Sequence, residues 1–431
     1  MKNLNLSFSV IILLFASLLS NGQNTSPFIV TDQFGYLPDM SKIAVIRDPQ
    51  VGFDASLSFT PGAKFALMNA ETGDTVFQAA PISWKNGATD ASSGDKAWHF
   101  DFTSVNETGS YYVLDMQNNV RSFEFKISPS VYNEVLKHAV RTFFYQRAGF
   151  AKEAQFAGKE WADGASHVRN LQDKNARIFN KKNDATTERD VSGGWYDAGD
   201  YNKYTNWTAS YVIEMMKAYI EKPKVWTDDY NIPESGNGIP DLLDEAKWGI
   251  DHLLRMQLDN GSVLSIVGLS HASPPSAATG PSYYGSPSTS ATLNTSAAFA
   301  LASKVYRAIG MTEYADTLVV RSEKAWTWAI ANPAVIFRNN DSANGSSGLG
   351  AGQQETNDYG RFMAKLKAAC YLFEVTGKSV YRSHFDANYN KVNIFNWTFA
   401  FPFEMDNQDI LLYYTTIPNG TSTVKTAIRN I

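Results

Sequence analysis

The sequence has 431 residues, 44% apolar and 19% charged, so it can bury at least one sizeable core and is not a disordered chain. A formal net charge of -5 gives no electrostatic footprint for nucleic acid or an anionic membrane. The single cysteine, Cys370, excludes an intrachain disulfide and a cysteine-rich zinc site, and an aromatic share of 13% suits stacking on an uncharged ligand.

Residues 1–23 read as a secretory signal, with Lys2 at the positive start, an apolar run from Val10 to Leu19, and small or polar Ser20, Asn21 and Gly22 after it. The run is shorter than the ~20 residues that span a bilayer, so cleavage near Gln23 is expected. The mature protein is then secreted or periplasmic, with no membrane association. No cysteine follows the signal, which excludes a bacterial-type lipid anchor.

Residues 24–128 have the texture of short strands. Ile29-Val30, Ile43 to Ile46, Phe65 to Met68, Thr75 to Gln78, Trp98 to Phe102, Tyr111 to Leu114 and Ser122 to Lys126 are separated by Pro, Gly, Asn and Asp clusters. That spacing predicts a small antiparallel sandwich of the immunoglobulin type. Trp98 is expected to pack in a strand, with His99 exposed.

Residues 129–431 change to a period of three to four. Helices are predicted at about 131–147, 201–221, 240–258, 293–309, 313–331, 358–376, 379–391, 404–415 and from near 421. Pro240 suits a first turn, and Gly310 and Gly377 suit C-terminal caps. The segments at 308–314 and 375–381 share one design, a helix ending on Gly, Thr312 or Ser379 as the next N-cap, and a Tyr two residues later. Such hairpins predict a toroid of helix pairs, and by spacing alone a solenoid fits almost as well. Cys370 falls on the apolar face of its helix, as an inert buried thiol does.

The densest unusual string is Gly193-Gly194-Trp195-Tyr196-Asp197-Ala198-Gly199-Asp200-Tyr201-Asn202-Lys203-Tyr204. On one reading Asp200 is the N-cap of a helix starting at Tyr201 and Asp197 stabilises the turn. On the other, three glycines let the backbone turn tightly and the paired carboxylates work beside aromatic faces, including Trp207, as a glycosidase needs. An EF-hand calcium loop is a poorer fit, because its alternating oxygen ligands are missing.

This string resembles the signature of glycoside hydrolase family 9, the inverting β-glucanases, in the subgroup with an N-terminal immunoglobulin-like domain. The stretch Thr31 to Pro38 is similar to the opening of that subgroup's first domain. The stretch Phe143 to Arg147 is similar to its first barrel helix, and Ile239 to Trp248 with Leu253 to Gln257 to its third. The resemblance implies an (α/α)6 barrel and single-displacement hydrolysis of β-1,4-glucosidic bonds in cellulose or a related β-glucan by a monomer. It makes Asp200 the general base and Asp197 its partner in holding the attacking water. Trp195, Tyr196, Tyr201 and Tyr204 are then expected to line the sugar site. Tyr283 and Tyr284, in a Pro-, Gly- and Ser-rich loop from Ser273 to Ser290, are expected to join them.

Two departures from the family follow. Its general acid is a glutamate in an Asn-Glu string near the end of the barrel, and no such string stands in the C-terminal part of this sequence. Glu404 is read as a helix-start carboxylate, and the acid is expected beyond residue 431 of a longer enzyme. The alternative is a non-catalytic carbohydrate-binding protein or an inactive fragment. Some relatives also hold zinc with two cysteines and two histidines before the aspartates. Ala148 and Ser166 stand where those cysteines would be, so no zinc is expected and His167 is read as a hydrogen-bonded loop residue. The resemblance allows a structural calcium ion, without naming its ligands.

Overall fold

The computed structural model describes residues 23–431, so the signal segment, but for Gln23, lies outside the described residues. The chain divides into two compact units, one ending at Leu136 and the other running from Lys137 to Ile431.

The first unit is a two-sheet sandwich of short strands. They are β1 (Asn24–Thr25), β2 (Ile29–Val30), β3 (Ile43–Pro49), β4 (Phe65–Asn69), β5 (Thr75–Ala79), β6 (Ile82–Ser83), β7 (Asp95–Asp101), β8 (Gly109–Asp115), β9 (Val120–Arg121) and β10 (Phe125–Ile127). One sheet has the order β1-β9-β8-β4-β5 with β10 also on β8, and the other β2-β3-β7-β6. Alternating side chains from both sheets, among them Ile46, Phe65, Leu67, Phe100 and Val113, meet in a dry aromatic-rich core. Trp98 packs against that core and His99 stays half-exposed. Of the strand expected over 122–126 only the end survives, in β10: β9 stops at Arg121, and the Ser122 hydroxyl donates to the Phe123 carbonyl and accepts the Val113 N–H. Phe123 is left 68% exposed, and the chain re-enters the sheet only at Phe125.

The second unit is built of helical hairpins. Its helices are α1 (Asn133–Gln146), α2 (Ala154–Ala157), α3 (Thr205–Glu221), α4 (Asp241–Met256), α5 (Thr289–Ala308), α6 (Thr312–Ala331), α7 (Asp358–Thr376), α8 (Ser379–Asp386), α9 (Asn393–Trp397), α10 (Met405–Thr416) and α11 (Ser422–Arg429). Two-residue or three-residue strands β11 (Arg177–Ile178), β12 (Lys203–Tyr204), β13 (Ile266–Gly268) and β14 (Tyr283–Tyr284) form a small sheet among the loops. Helices α3, α5 and α7 are neighbours, and α4, α6 and α8 pack outside them. The sequence of α5, rich in Ala, Ser and Thr, explains its place: small side chains let α3, α6 and α7 all approach it, and it is buried on nearly every face. The starts of α3, α5 and the segment before α7 are tied together by Asn206, whose amide donates to Ser290 Oγ (3.2 Å) and Gln354 Oε1 (2.7 Å). These inner helices therefore begin at one end of the unit. Cys370 is buried in α7 and free.

Several boundaries move for local reasons. The helix expected from Tyr201 starts at Thr205, because Lys203 and Tyr204 pair with β13 and Tyr201 takes a left-handed backbone at φ 56. Asp200 is therefore not a helix N-cap. The helix expected from 293 starts at Thr289, capped by Ser288 through the Ala291 N–H. Thr312 and Ser379 are first residues of their helices rather than caps. Gly310 (φ 88) and Gly377 (φ 68) do terminate α5 and α7, the second donating its N–H to the Phe373 carbonyl. The helix expected over 379–391 stops at Asp386, and α9 follows a short turn. Among the described residues no helix is long and apolar enough to cross a membrane.

Candidate active site

The carboxylates Asp197 and Asp200 flank an exposed two-residue tip, Ala198-Gly199, and are themselves half-buried. The loop closes on itself through the Asp197 N–H, which donates to the Asn202 carbonyl (3.0 Å), and the Tyr201 N–H, which donates to the Ala198 carbonyl (3.0 Å). Two of the three glycines are needed. Gly193 and Gly194 lie at φ 77 and 75, and a Cβ on Gly194 would stand 2.6 Å from the His252 ring. Gly199 has neither a positive φ nor a neighbour within 4 Å, so it opens the tip rather than tightening it.

Asp200 has a donor on each oxygen. Oδ1 accepts the Asn202 N–H (3.2 Å) and Oδ2 accepts the Tyr204 hydroxyl (3.2 Å). Burial, reinforced by the negative charge of Asp200, pushes the Asp197 carboxyl above its ordinary value, and the Tyr211 hydroxyl opposes that rise. The pair is thus asymmetric: Asp200 is anchored at both oxygens, whereas Asp197 has its carboxyl raised by burial and by its neighbour's charge.

Behind the loop sits Lys203, a residue to which the sequence reading assigned no role. Its side chain is fully buried, and its ammonium donates to Asp173 Oδ2 (2.7 Å) and to the carbonyls of Val191 (2.9 Å) and Gly193 (2.8 Å). All three donors of the ammonium are used, as burying it requires.

The aromatic residues divide into packing and cleft. Trp195 is 3% exposed and donates its indole N–H to Glu245 Oε1 (2.8 Å), and Glu245 is itself paired with buried Arg147 (2.8 Å). Gly249 leaves room for that indole. Tyr196 is buried, its hydroxyl bonded to Ser166 Oγ and His167 Nδ1. Tyr204 is buried against Trp207 and turned onto Asp200. Tyr284 is buried, its hydroxyl donating to the Thr187 carbonyl (2.5 Å). These four are buried and leave almost no ring face open to a sugar. Tyr201 is half-buried, packed on Tyr196, with its hydroxyl on the Ala272 carbonyl (2.8 Å). Tyr283 lines a cleft of about 230 Å³ with Phe179, Lys182 and Asn202. Trp207 borders a second cavity of about 350 Å³ that runs between α3, α7 and α10.

His167 is buried, with Nε2 on the Ser270 carbonyl (2.8 Å), and burial lowers its pKa. Both ring nitrogens and Ser166 are engaged in protein hydrogen bonds where relatives are expected to hold zinc. Glu404 is tied to the Tyr359 hydroxyl (3.0 Å), the Asn393 amide (3.0 Å) and the Asn407 amide (3.3 Å).

A group of acids that the sequence reading did not single out lies at the start of α4. Oxygens of Asp228, Asp241 and Asp244 stand within 4.8 Å of one another. Asp241 is fully buried, with Oδ2 accepting the Tyr230 N–H and the Ser235 hydroxyl while Oδ1 has no partner. Burial pushes Asp244 up to about 7. An orphaned buried oxygen among three carboxylates fits a hard cation with oxygen ligands.

The family model described as glycosyl hydrolase family 9 matches residues 132–429, and that described as cellulase N-terminal ig-like domain matches residues 24–119. A cellodextrinase of Butyrivibrio fibrisolvens is 31% identical over 378 residues, covering 85% of this chain and 62% of the relative. A cellulose 1,4-beta-cellobiosidase of Acetivibrio thermocellus is 29% identical over 391 residues, covering 83% of this chain and 42% of the relative. Among solved structures, the chain is similar to a metagenome-derived glycoside hydrolase family 9 endoglucanase, with a TM-score of 0.77 at 26% identity, covering 93% of this chain and 71% of that one. The helical hairpins are accordingly those of an (α/α)6 toroid rather than a solenoid, and the chain spans 42% and 62% of the length of these two curated relatives.

Proposed function

Because this chain belongs to glycosyl hydrolase family 9, we propose that it is the base-bearing part of an exported, inverting hydrolase of β-1,4-linked glucans. The observation that carries the reading is the asymmetric pair: Asp200, held by a donor on each oxygen, beside Asp197, whose proton affinity is raised. A water lodged between them gives its proton to Asp200 as its oxygen attacks the anomeric carbon, and Asp197 orients that water. The attack from one face inverts the centre, provided an acid stands about 6.5 to 9.5 Å away on the other face. Glu404, with both oxygens engaged, is not assigned that role. We expect the 431 residues alone to bind glycan without cleaving it.

The sugar chain would run past Tyr283 and Phe179 on one side of Asn202 and past Trp207 on the other. A calcium ion held by Asp228, Asp241 and Asp244 would brace the start of α4 and thereby the Glu245-Arg147-Trp195 network, with no part in the chemistry.

Replacing Asp200 with Asn in the full gene product tests the proposal. Reducing-sugar release from a soluble β-glucan should fall by about 10²- to 10⁴-fold, the worth of a general base, with glycan binding retained. Undiminished turnover would show the base to be misassigned. Absence of turnover in the unaltered gene product would favour a non-catalytic glycan binder.

A further inference from the structure

The backbone that leads into the aspartate loop has successive carbonyls held by side chains. Those of Val191 (2.9 Å) and Gly193 (2.8 Å) accept from the Lys203 ammonium, that of Ser192 from His252 Nδ1 (3.1 Å), and that of Gly194 from the Trp248 indole (2.9 Å). Trp248 and His252 stand one turn apart on α4, whereas Lys203 follows the loop itself, next to Asn202. The Asn202 N–H donates to Asp200 Oδ1 and its carbonyl accepts the Asp197 N–H. The Lys203 side chain therefore returns beneath the loop and joins the end of the loop to its beginning.

The same ammonium reaches a second loop. Its third acceptor is Asp173 Oδ2 (2.7 Å), and Asp173 Oδ1 accepts the Ser282 hydroxyl (2.6 Å). Lys203, Asp173 and Ser282 are all buried. Ser282 stands directly before Tyr283, which lines the cleft of about 230 Å³ together with Asn202. The segment around Asp173 holds that side closely. The Leu171 carbonyl accepts the Ser282 N–H (2.9 Å), and the Gln172 amide donates to the carbonyls of Ala278 (3.1 Å) and Gly280 (3.0 Å). On the other side, the Asp173 carbonyl accepts the Val191 N–H (2.8 Å). Strands β12 and β14 are not neighbours, because β13 lies between them, so the chain Lys203-Asp173-Ser282 is a side-chain connection between the two loops in addition to the sheet.

We propose that Lys203 is a positioning residue, which through Asp173 and Ser282 couples the loop of Asp197 and Asp200 to Tyr283, so that the base and the stacking ring keep one spacing along the sugar. Its consequence for turnover rests on the hydrolase reading; the coupling itself does not. A buried ion pair contributes little net stability relative to apolar residues of the same size, because desolvation offsets the attraction. What it supplies is direction. An ammonium with three donors fixes three acceptors at once, here a carboxylate on the Tyr283 side and two carbonyls at the entry to the aspartate loop. A water that must meet the anomeric carbon in line is sensitive to that spacing, since a misplacement of about 1 Å can cost about a hundredfold in rate.

Two variants of the full gene product decide it, by kinetics on a soluble β-glucan and by amide hydrogen exchange without ligand. In Lys203→Met protein that circular dichroism shows to be folded, kcat should fall about tenfold or more. Ser282→Ala is the milder change: it leaves the Lys203-Asp173 pair in place and cuts only the link to the Tyr283 side. It should nevertheless speed exchange at the Asp197 and Tyr201 amides, which are bonded across the aspartate loop, by about threefold or more, while the amides of α5 keep their protection. A bond with only a local structural role would alter exchange at Ser282 and its neighbours and leave Asp197 and Tyr201 as they were, and that result overturns the coupling even if Lys203→Met fails to fold. Undiminished kcat in folded Lys203→Met protein overturns the positioning role. If the unaltered gene product does not turn over the glucan, the hydrolase reading fails by itself, and the exchange comparison still decides the coupling.

Discussion

The Tyr204 hydroxyl donates to Asp200 Oδ2 (3.2 Å) while accepting the backbone N–H groups of Ala351 (3.0 Å) and Gly352 (2.9 Å). One phenol thus orients the proposed base and fastens it to a loop nearly 150 residues further along the chain. Gly350 makes the approach feasible: its φ of 76 and its missing Cβ, which would stand 3.3 Å from that hydroxyl, leave the oxygen room.

Tyr204→Phe removes the donor to Asp200 and leaves two loop N–H groups unpaired. A hydrogen bond to a charged acceptor is worth about 1.5 to 3 kcal/mol, so kcat of the full gene product should fall about tenfold or more. KM for a cello-oligosaccharide should change little, because Tyr204 is buried and offers no face to the sugar. Steady-state kinetics separating kcat from KM checks this. A rise in KM with unchanged kcat would place Tyr204 in substrate binding instead.

Trp195→Ala should act on stability rather than on sugar affinity. The indole is buried beside Gly249, and its loss leaves a cavity and an unpaired oxygen on Glu245. Large-to-small aromatic changes of this kind cost about 3 to 5 kcal/mol. Urea denaturation followed by circular dichroism measures the loss, and glycan affinity of the folded fraction should be unaltered.

Calcium should raise the melting temperature and EDTA should reverse the gain. At a calcium concentration about 100 times Kd the stabilisation is about 2.7 kcal/mol. Asp241→Asn should abolish the calcium-dependent shift while Asp197→Asn leaves it in place. Scanning calorimetry of the three proteins with and without the ion makes the comparison.

His384 gives the protein an acid sensitivity whose sign is fixed by its environment. Its pKa is about 4 in the folded chain, against the ordinary 6.5, so between those values the unfolded state binds more protons than the folded state. Stability from this group is full above pH 6.5 and is lost as the pH falls towards 4. Lys365 and Lys391 face the imidazole and add to the lowering, and Arg361 lines a cavity with His384. His384→Gln should therefore flatten the fall in melting temperature between pH 7 and pH 5, as thermal unfolding at the two pH values would register.

The spacing of apolar residues in the sequence was enough to place nearly every long helix, because α4, α6 and α7 are amphipathic or buried over their whole length and end on glycine or a loop. The aspartate pair was legible as well, since paired acids in a glycine- and aromatic-rich string are rare. What the local pattern could not reveal was where the aromatics point. Trp195, Tyr196, Tyr204 and Tyr284 look alike in the string, yet their hydroxyl or indole groups are claimed by Glu245, His167, Asp200 and Thr187. Two of those partners lie a few dozen residues away or more on other elements, and Tyr284 meets Thr187 almost a hundred residues back. Lys203 was missed for the same reason: an isolated lysine reads as a solvated charge until Asp173 is folded against it. The expected helix start at Tyr201 failed because strand pairing of Lys203 and Tyr204 outweighs helix propensity over four residues.

The burial of Trp195 also determines what light can report about this protein. An indole locked to Glu245 in the core will change its emission when the helical unit opens, and hardly at all when a sugar arrives. Trp207, half-exposed at the edge of the 350 Å³ cavity, has the opposite disposition. A protein in which Trp195 is the remaining bright indole would serve as a folding gauge, and one that keeps Trp207 as an occupancy gauge, so the two tryptophans of neighbouring segments divide the optical signal between unfolding and ligand entry.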